Sequence, residues 1–474
     1  MLNFSSKLLD KNIQMLCVGK GHLSFLLSLS LLKRGQKVLL LDDPRMSFGE
    51  SFAYNPRLIE REFLRQFGID QGVPALINIE QYTHQKPYLV FIENRQLFLG
   101  QAPSENLREL WRIFPELFES NSLDFTWLKS LDDRSEFDEM FLATTRRLAA
   151  SAYQFQGVES LNYELFLTQC PPSLKQIFEV FSQNLHQRTA FDSPDQIKGI
   201  SPIHQLFLYT FRSHFHHQLS PTVSKLECFH LFLSLLSPQY KLETERLLDE
   251  LLKNHLERGG QYKMTTIREW KFDSQKPWSV ELASFDGIIH PEKMCFFGNM
   301  PEPHPFEISP LPSTYSGVRV KWRFDNPILQ AWDGMDLFCT RLLQMGTEFP
   351  WWQASVKASE IEFHLPISQL RGVKLEFMRH GIRRFLRKEL SLLIDMPLKD
   401  IAFEEMTESR ELWIEPLALN AVQVNKNKDL ELYDTSIIGK RTRLKNVSYF
   451  GPYRHSELGL FSALMGLREA QHYL

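Results

Sequence analysis

Residues Gly19-Lys20-Gly21-His22-Leu23-Ser24 stand between an apolar run, Ile13–Val18, and a second apolar stretch, Leu23–Leu32. A short apolar run that stops at glycine predicts a buried strand. The second stretch carries interspersed serines and closes on Lys33-Arg34-Gly35, which predicts a helix with a basic last turn and a glycine stop. Val38–Leu41 is again apolar and ends in Asp42-Asp43-Pro44, so a second buried strand follows. Strand, glycine turn, helix and strand within about 30 residues form one right-handed βαβ unit.

The spacing assigns roles to single residues. Gly19 permits a tight turn, Gly21 lets the backbone approach a pyrophosphate, and the third position needs a small residue, which Ser24 supplies. The N-terminus of the helix expected at Leu23–Leu32 offers free N–H groups to phosphate. Asp42 lies roughly 20 residues further on, where an acid accepts hydrogen bonds from a ribose. A dinucleotide is therefore the expected ligand.

Downstream, Leu242–Glu257 predicts a helix stopped by Gly259-Gly260, followed by strand-like runs at Gln261–Ile267, Ser279–Ala283 and Met294–Phe297. Residues 73–235 read as mostly helical, and residues 316–425 as mixed. Val447–Phe450 reads as a strand, Gly451-Pro452 as a turn and Leu458–His472 as a helix.

With Arg45–Glu50, the opening βαβ unit resembles the start of FAD-dependent amine oxidases and phytoene desaturases. Leu247–Leu256, Gly259-Gly260, Gln261–Ile267 and Cys295–Pro301 are similar to that family's adenosine-side helix, glycine pair and strand. Asn446–Gly451 and Leu458–Ala470 are similar to its last strand and helix. The resemblance implies an α/β fold, an FAD/NAD(P)-binding Rossmann-like domain interleaved with an α+β substrate domain. Residues 1–72, 236–303 and 430–474 would form the dinucleotide-binding domain, and residues 73–235 and 304–429 the substrate or partner domain. It also implies cofactor-binding roles for Gly19, Lys20, Gly21, His22, Ser24, Asp42, Asp43, Arg45, Gly49, Ile267, Gly451 and Leu458. No catalytic residue follows from it.

Departures accompany the match. Lys20 stands where the family keeps a small residue, and only Gly49 remains of its paired glycines. Pro452 replaces an acid, and Gln239–Glu243 replaces a Pro-Gly-rich stretch beside the flavin. Proline has neither a polar side chain nor an N–H, so the departures predict FAD held weakly or lost. Two functions stay open. One is an FAD-dependent oxidoreductase acting on an apolar substrate. The other is a non-catalytic protein that binds a protein or lipid partner, as Rab GDP-dissociation inhibitors do; Gly35–Leu39, Asp42 and Gly49-Glu50-Ser51 are locally similar to theirs.

Net charge is -3, which gives no global field for nucleic acid. Cys17, Cys170, Cys228, Cys295 and Cys339 are scattered without a CxxC, which argues against a disulfide framework or a zinc site. With no run long enough to span a bilayer, a cytoplasmic location is expected. His204, His214, His216, His217 and His230 lack accompanying ligands at metal spacing and read as structural. Arg371, Lys374, Arg379, His380, Arg383, Arg384, Arg387 and Lys388 interleave with apolar residues. That helix reads as a solvated face, with peripheral membrane contact around Arg379–Lys388 as the functional alternative. Trp351-Trp352 reads as packing, and the 37 phenylalanines as core. There is no GxSxG, HExxH or P-loop, so hydrolase and nucleotidase chemistry has no support.

Overall fold

The computed structural model describes residues 12–19, 21–44, 58–92, 95–120, 123–154, 168, 171–189, 225–273, 276–283, 287–297, 316–340, 351–367, 375–394, 401–409 and 447–450. In chain order the strands are β1 (Asn12–Val18), β2 (Val38–Asp42), β3 (Thr83–Gln85), β4 (Tyr88–Ile92), β5 (Arg95–Leu99), β6 (Tyr240–Leu242), β7 (Gln261–Met264), β8 (Ile267–Asp273), β9 (Lys276–Leu282), β10 (Ile288–Phe297), β11 (Ser316–Phe324), β12 (Asp336–Thr340), β13 (Trp351–Lys357), β14 (Glu360–Ile367), β15 (Ile401–Ser409) and β16 (Val447–Phe450). The helices are α1 (His22–Lys33), α2 (Leu58–Gln71), α3 (Pro74–Ile77), α4 (Pro103–Ile113), α5 (Leu131–Gln154), α6 (Pro172–Thr189), α7 (Lys225–Leu236), α8 (Thr244–Glu257) and α9 (Leu375–Ile394).

The fold is α/β. The first sheet runs β7-β2-β1-β10-β16 with every neighbouring pair parallel, and β9 and β8 continue from β10 as an antiparallel meander. This is a Rossmann-like strand order, since the two strands that follow β1 and β2 in the parallel set lie on opposite sides of the starting pair. β1 and β2 are buried almost throughout, as central parallel strands must be, and their sequences are accordingly continuous apolar runs.

α1 is covered on all sides: every residue from Leu23 to Leu31 is buried. Its serines survive there because they bond to their own turns. Ser28 Oγ donates to the Phe25 carbonyl at 2.8 Å and Ser30 Oγ to the Leu26 carbonyl at 3.1 Å. Gly35, at φ +78°, ends the helix as expected. α8 packs on α1 through an edge-on contact of His255 with Phe25. A Cβ on Gly260 would lie 2.4 Å from that imidazole, so the second glycine of the Gly259-Gly260 pair makes room for the ring.

The second sheet runs β15-β11-β14-β13-β12-β4-β5 and is antiparallel except for the β12–β4 pair. α9 covers it, placing Ile382, Leu386 and Leu390 against a core that includes Trp322, Trp352 and Phe363. α4, α5, α6 and α7 share a phenylalanine-rich core in which Phe178 and Phe181 meet Phe118, Phe229 and Phe232 edge-on or tilted.

Two expectations about local structure are corrected. The helical stretch 73–235 is interrupted by β3, β4 and β5, because Tyr88–Ile92 is a five-residue apolar run whose period cannot distinguish strand from helix. The single strand expected at Gln261–Ile267 is two. The chain turns at Thr265, whose N–H donates to the Asp42 carbonyl at 3.0 Å, and Ile267 opens the meander.

Gly19 has φ +113°, and a Cβ there would sit 2.4 Å from the Phe297 carbonyl oxygen. Gly19→Ala is therefore expected to cost about 2–4 kcal/mol in urea unfolding, from left-handed strain plus the clash. Gly259→Ala, at φ +83° with open space around it, should cost about 1–2 kcal/mol from the left-handed backbone alone. Equal losses would show that Phe297 does not constrain the turn.

Candidate functional site

Parallel strands end on one edge. Val18, Asp42, Met264, Phe297 and Phe450 close β1, β2, β7, β10 and β16, and so bring the carboxyl ends of those strands together. Between β1 and β10 the chain order reverses, and the crevice outside such a point is where open α/β sheets place ligands.

The Gly19 turn opens into that crevice. Gly19 N–H donates to the Leu41 carbonyl at 2.8 Å, which ties the turn to β2. Gly21 is buried, extended at φ 178°, and caps α1. Ser24 does more than fit in a small space. Its hydroxyl accepts the Gly21 N–H at 3.0 Å and donates to the Gly21 carbonyl at 2.8 Å. The helical ladder begins with Phe25 N–H to the Gly21 carbonyl at 3.1 Å. The amides of His22, Leu23 and Ser24 precede that ladder, at the positive end of the helix dipole. No acidic side chain occupies the first turn. Burial pushes the His22 imidazole down to about 4, so its ring is neutral at pH 7. The turn therefore suits a phosphate group.

The two acids at the end of β2 have different surroundings. Asp42 is half-buried, and its Oδ2 accepts the Tyr262 hydroxyl from β7 at 2.8 Å. That phenol is pushed up, first by burial and then by the bond to Asp42. Asp43 is fully buried, and its Oδ2 accepts the Ile267 N–H at 3.0 Å. Asp43 and Ile267 thus join β2 to the meander, while Asp42 shares the edge with the turn. A ribose would share Asp42 with Tyr262. Tyr262 and Phe297 were missed in the sequence because their roles depend on the β2–β7 and β1–β10 registers, which no local pattern reveals.

Lys20, Arg45, Gly49, Gly451 and Leu458 lie outside the described residues, as do His204, His214, His216 and His217. Gly451 follows directly on β16. In α9, Arg383 forms a two-pronged bond to Glu404 of β15 at 2.7 and 2.5 Å, and Arg379 approaches the same carboxylate at 3.7 Å. His380, Arg384, Arg387 and Lys388 remain exposed, and the apolar face of the helix is covered by the sheet. Among the described residues, no helix is long and apolar enough to cross a membrane.

No protein-family model matches the chain, and no curated protein matches it. Among solved structures it is similar to the peptidyl tryptophan dihydroxylase QhpG (TM-score 0.38, 9% identity, 84% of this chain and 56% of that one). It is also similar to the tryptophan 6-halogenase SttH from Streptomyces toxytricini (0.39, 11%, 85% and 64%). A third is L-proline dehydrogenase from P. horikoshii (0.41, 10%, 98% and 93%). The chain thus spans less than two thirds of the first two.

Two outcomes follow from the site. Asp43→Ala should destabilise the protein by about 1–3 kcal/mol in urea, the cost of orphaning a buried partner, whereas Asp42→Ala should change stability by less than about 1 kcal/mol. A larger loss for Asp42 would exchange their roles. The His22 imidazole, lowered from 6.5 to about 4, takes up its proton more readily in the unfolded chain. Stability should therefore fall as pH drops from about 6.5 toward 4, by up to roughly 3 kcal/mol. His22→Gln should flatten that part of the pH–stability curve, and an unchanged slope would assign the loss to other groups.

Proposed function

We propose that this protein is a flavin-dependent oxidoreductase that holds FAD at the carboxyl edge of its parallel sheet. One observation carries the reading. The glycine turn, the start of α1 and the half-buried Asp42 converge on the point where the strand order reverses. Convergence of these three features at a switch point is what a dinucleotide requires.

In this reading the amides of His22, Leu23 and Ser24 receive the pyrophosphate. Gly21 leaves the space for its approach, and Asp42 accepts a ribose hydroxyl. The neutral His22 ring adds no charge at the phosphate. Bound flavin would supply hydride acceptance; the protein's own contribution is position and exclusion of water. We place the substrate among apolar molecules of the amine-oxidase or desaturase kind, on the resemblance of the opening unit to those enzymes.

A second reading, a non-catalytic binder of a protein or lipid partner, draws on the Tyr262–Asp42 bond. A ribose hydroxyl must share or displace that phenol, which would leave FAD affinity low.

Reconstitution separates the two. Purified protein is mixed with FAD, desalted, and read by flavin absorbance. The oxidoreductase reading expects flavin to co-elute and to be reduced anaerobically by a substrate. Gly21→Val should abolish uptake, and Asp42→Ala should weaken it by about 1–3 kcal/mol. Tyr262→Phe should raise occupancy if the phenol competes. No retained flavin in either wild type or Tyr262→Phe would overturn the flavin assignment.

A further inference from the structure

Two exposed helix faces each carry charge of a single sign. On α9, His380, Arg384, Arg387 and Lys388 are exposed at positions i, i+4, i+7 and i+8, so they form one stripe along the helix. On α5, Asp132, Asp133, Glu136 and Glu139 are exposed, and Asp132, Glu136 and Glu139 repeat the i, i+4, i+7 spacing. Among the described residues, none of these side chains forms a hydrogen bond or an ion pair.

Neighbouring charges do not offset either stripe. On α9, Arg379 and Arg383 are taken up by Glu404, and Glu389 is buried on the opposite side of the helix. Around the start of α5, Arg134 pairs with Glu105 and Lys175 with Glu179, and the Lys129 charge acts on Asp124. Arg146 and Arg147 follow Glu139 by about two helical turns. An exposed helix gains from opposite signs four residues apart and loses from like signs. Here Asp132–Glu136 and Arg384–Lys388 are like pairs at that spacing. The helix dipole accounts for Asp132 and Asp133 in the first turn of α5, but not for Glu136 and Glu139 beyond it. Each stripe therefore repels itself, and a surface of opposite sign relieves it.

The complement of each stripe is the other: opposite in sign and matched in spacing. Both faces are exposed on one molecule, so they can meet only between molecules. A net charge of -3 does little to hold two copies apart. The apolar side of α9 is already spent on the core around Trp322, Trp352 and Phe363, which leaves nothing to insert into a bilayer. Leu131, 72% exposed at the head of α5, adds an apolar contact directly before Asp132.

We propose that α9 of one copy docks on the first half of α5 of a second copy, with Arg384, Arg387 and Lys388 facing Asp132, Glu136 and Glu139. The contact shares no residue with the Gly19 turn and does not rest on the flavin reading.

The test uses the full chain. Mass is followed by light scattering over a concentration series at low salt and again in 1 M sodium chloride, where the screening length is about 3 Å. Mass should rise above the monomer with concentration at low salt and return to it at high salt. Two double variants reverse surface charges and should fold, as thermal unfolding checks: Arg384→Glu with Arg387→Glu, and Glu136→Lys with Glu139→Lys. Each alone should weaken association by about tenfold or more. Mixed together, the two variants present complementary stripes again and should associate. A monomer at every concentration, association indifferent to both variants, or a mixture that stays monomeric would overturn the contact. So would a monomeric wild type that sediments with vesicles of phosphatidylserine and phosphatidylcholine, which would assign α9 to a lipid surface.

Discussion

The contact between Gly19 and the Phe297 carbonyl governs the first half of the molecule. Two strands distant in sequence, β1 and β10, leave the sheet together, and the backbone of one passes where the other's Cβ would be. With a side chain excluded at Gly19, the chain can turn tightly enough to enter α1 directly over the sheet. α1 is then buried on every side, which explains why its polar residues are serines that bond within their own turns. A lysine or glutamate in those places would have to carry its charge into the core.

Adjacent acids with opposite duties give the edge its character. Asp43, withdrawn from solvent, gives its carboxylate to a backbone amide, which fixes where the meander departs from the parallel sheet. Asp42, one residue earlier, has one oxygen held by Tyr262 and its side chain only half-covered. Successive residues of a strand point to opposite faces, so one inward acid leaves its neighbour turned away from the core. The sequence Asp42-Asp43 contains that geometry, but the faces can be assigned only once the neighbours are known.

What could be read in advance follows the same division. The βαβ unit was legible because its signals are local: apolar runs of strand and helix length, glycine at the turn and a basic helix end. Val447–Phe450 was likewise legible as a short strand, and it adds to the sheet beside β10. The short strands β3, β4 and β5 were not, because a five-residue apolar run has no period to reveal. Tyr262 gave no signal either, since its hydroxyl matters only through a partner on another strand. Nor did the approach of Arg146 to Glu62, which are separate in sequence and meet only through the packing of α2 on α5. α9 was legible as amphipathic, yet which of its cations face solvent depended on where Glu404 lies on β15.

The topology also bears on how the chain is made. β1 is synthesised early, but one of its two sheet neighbours, β10, is complete only at residue 297, and β16 joins later still. At a ribosomal rate of about 5–20 residues per second, the apolar edge of β1 that faces β10 waits on the order of tens of seconds for cover. β2 and α1 can protect its other edge and one face at once, so the nascent chain has a half-sheet with an open central strand. An open edge of that kind invites pairing with a neighbouring polypeptide. Recombinant yield should therefore respond to the pace of translation and to chaperones that shield extended segments, more than the net stability of the finished protein would suggest.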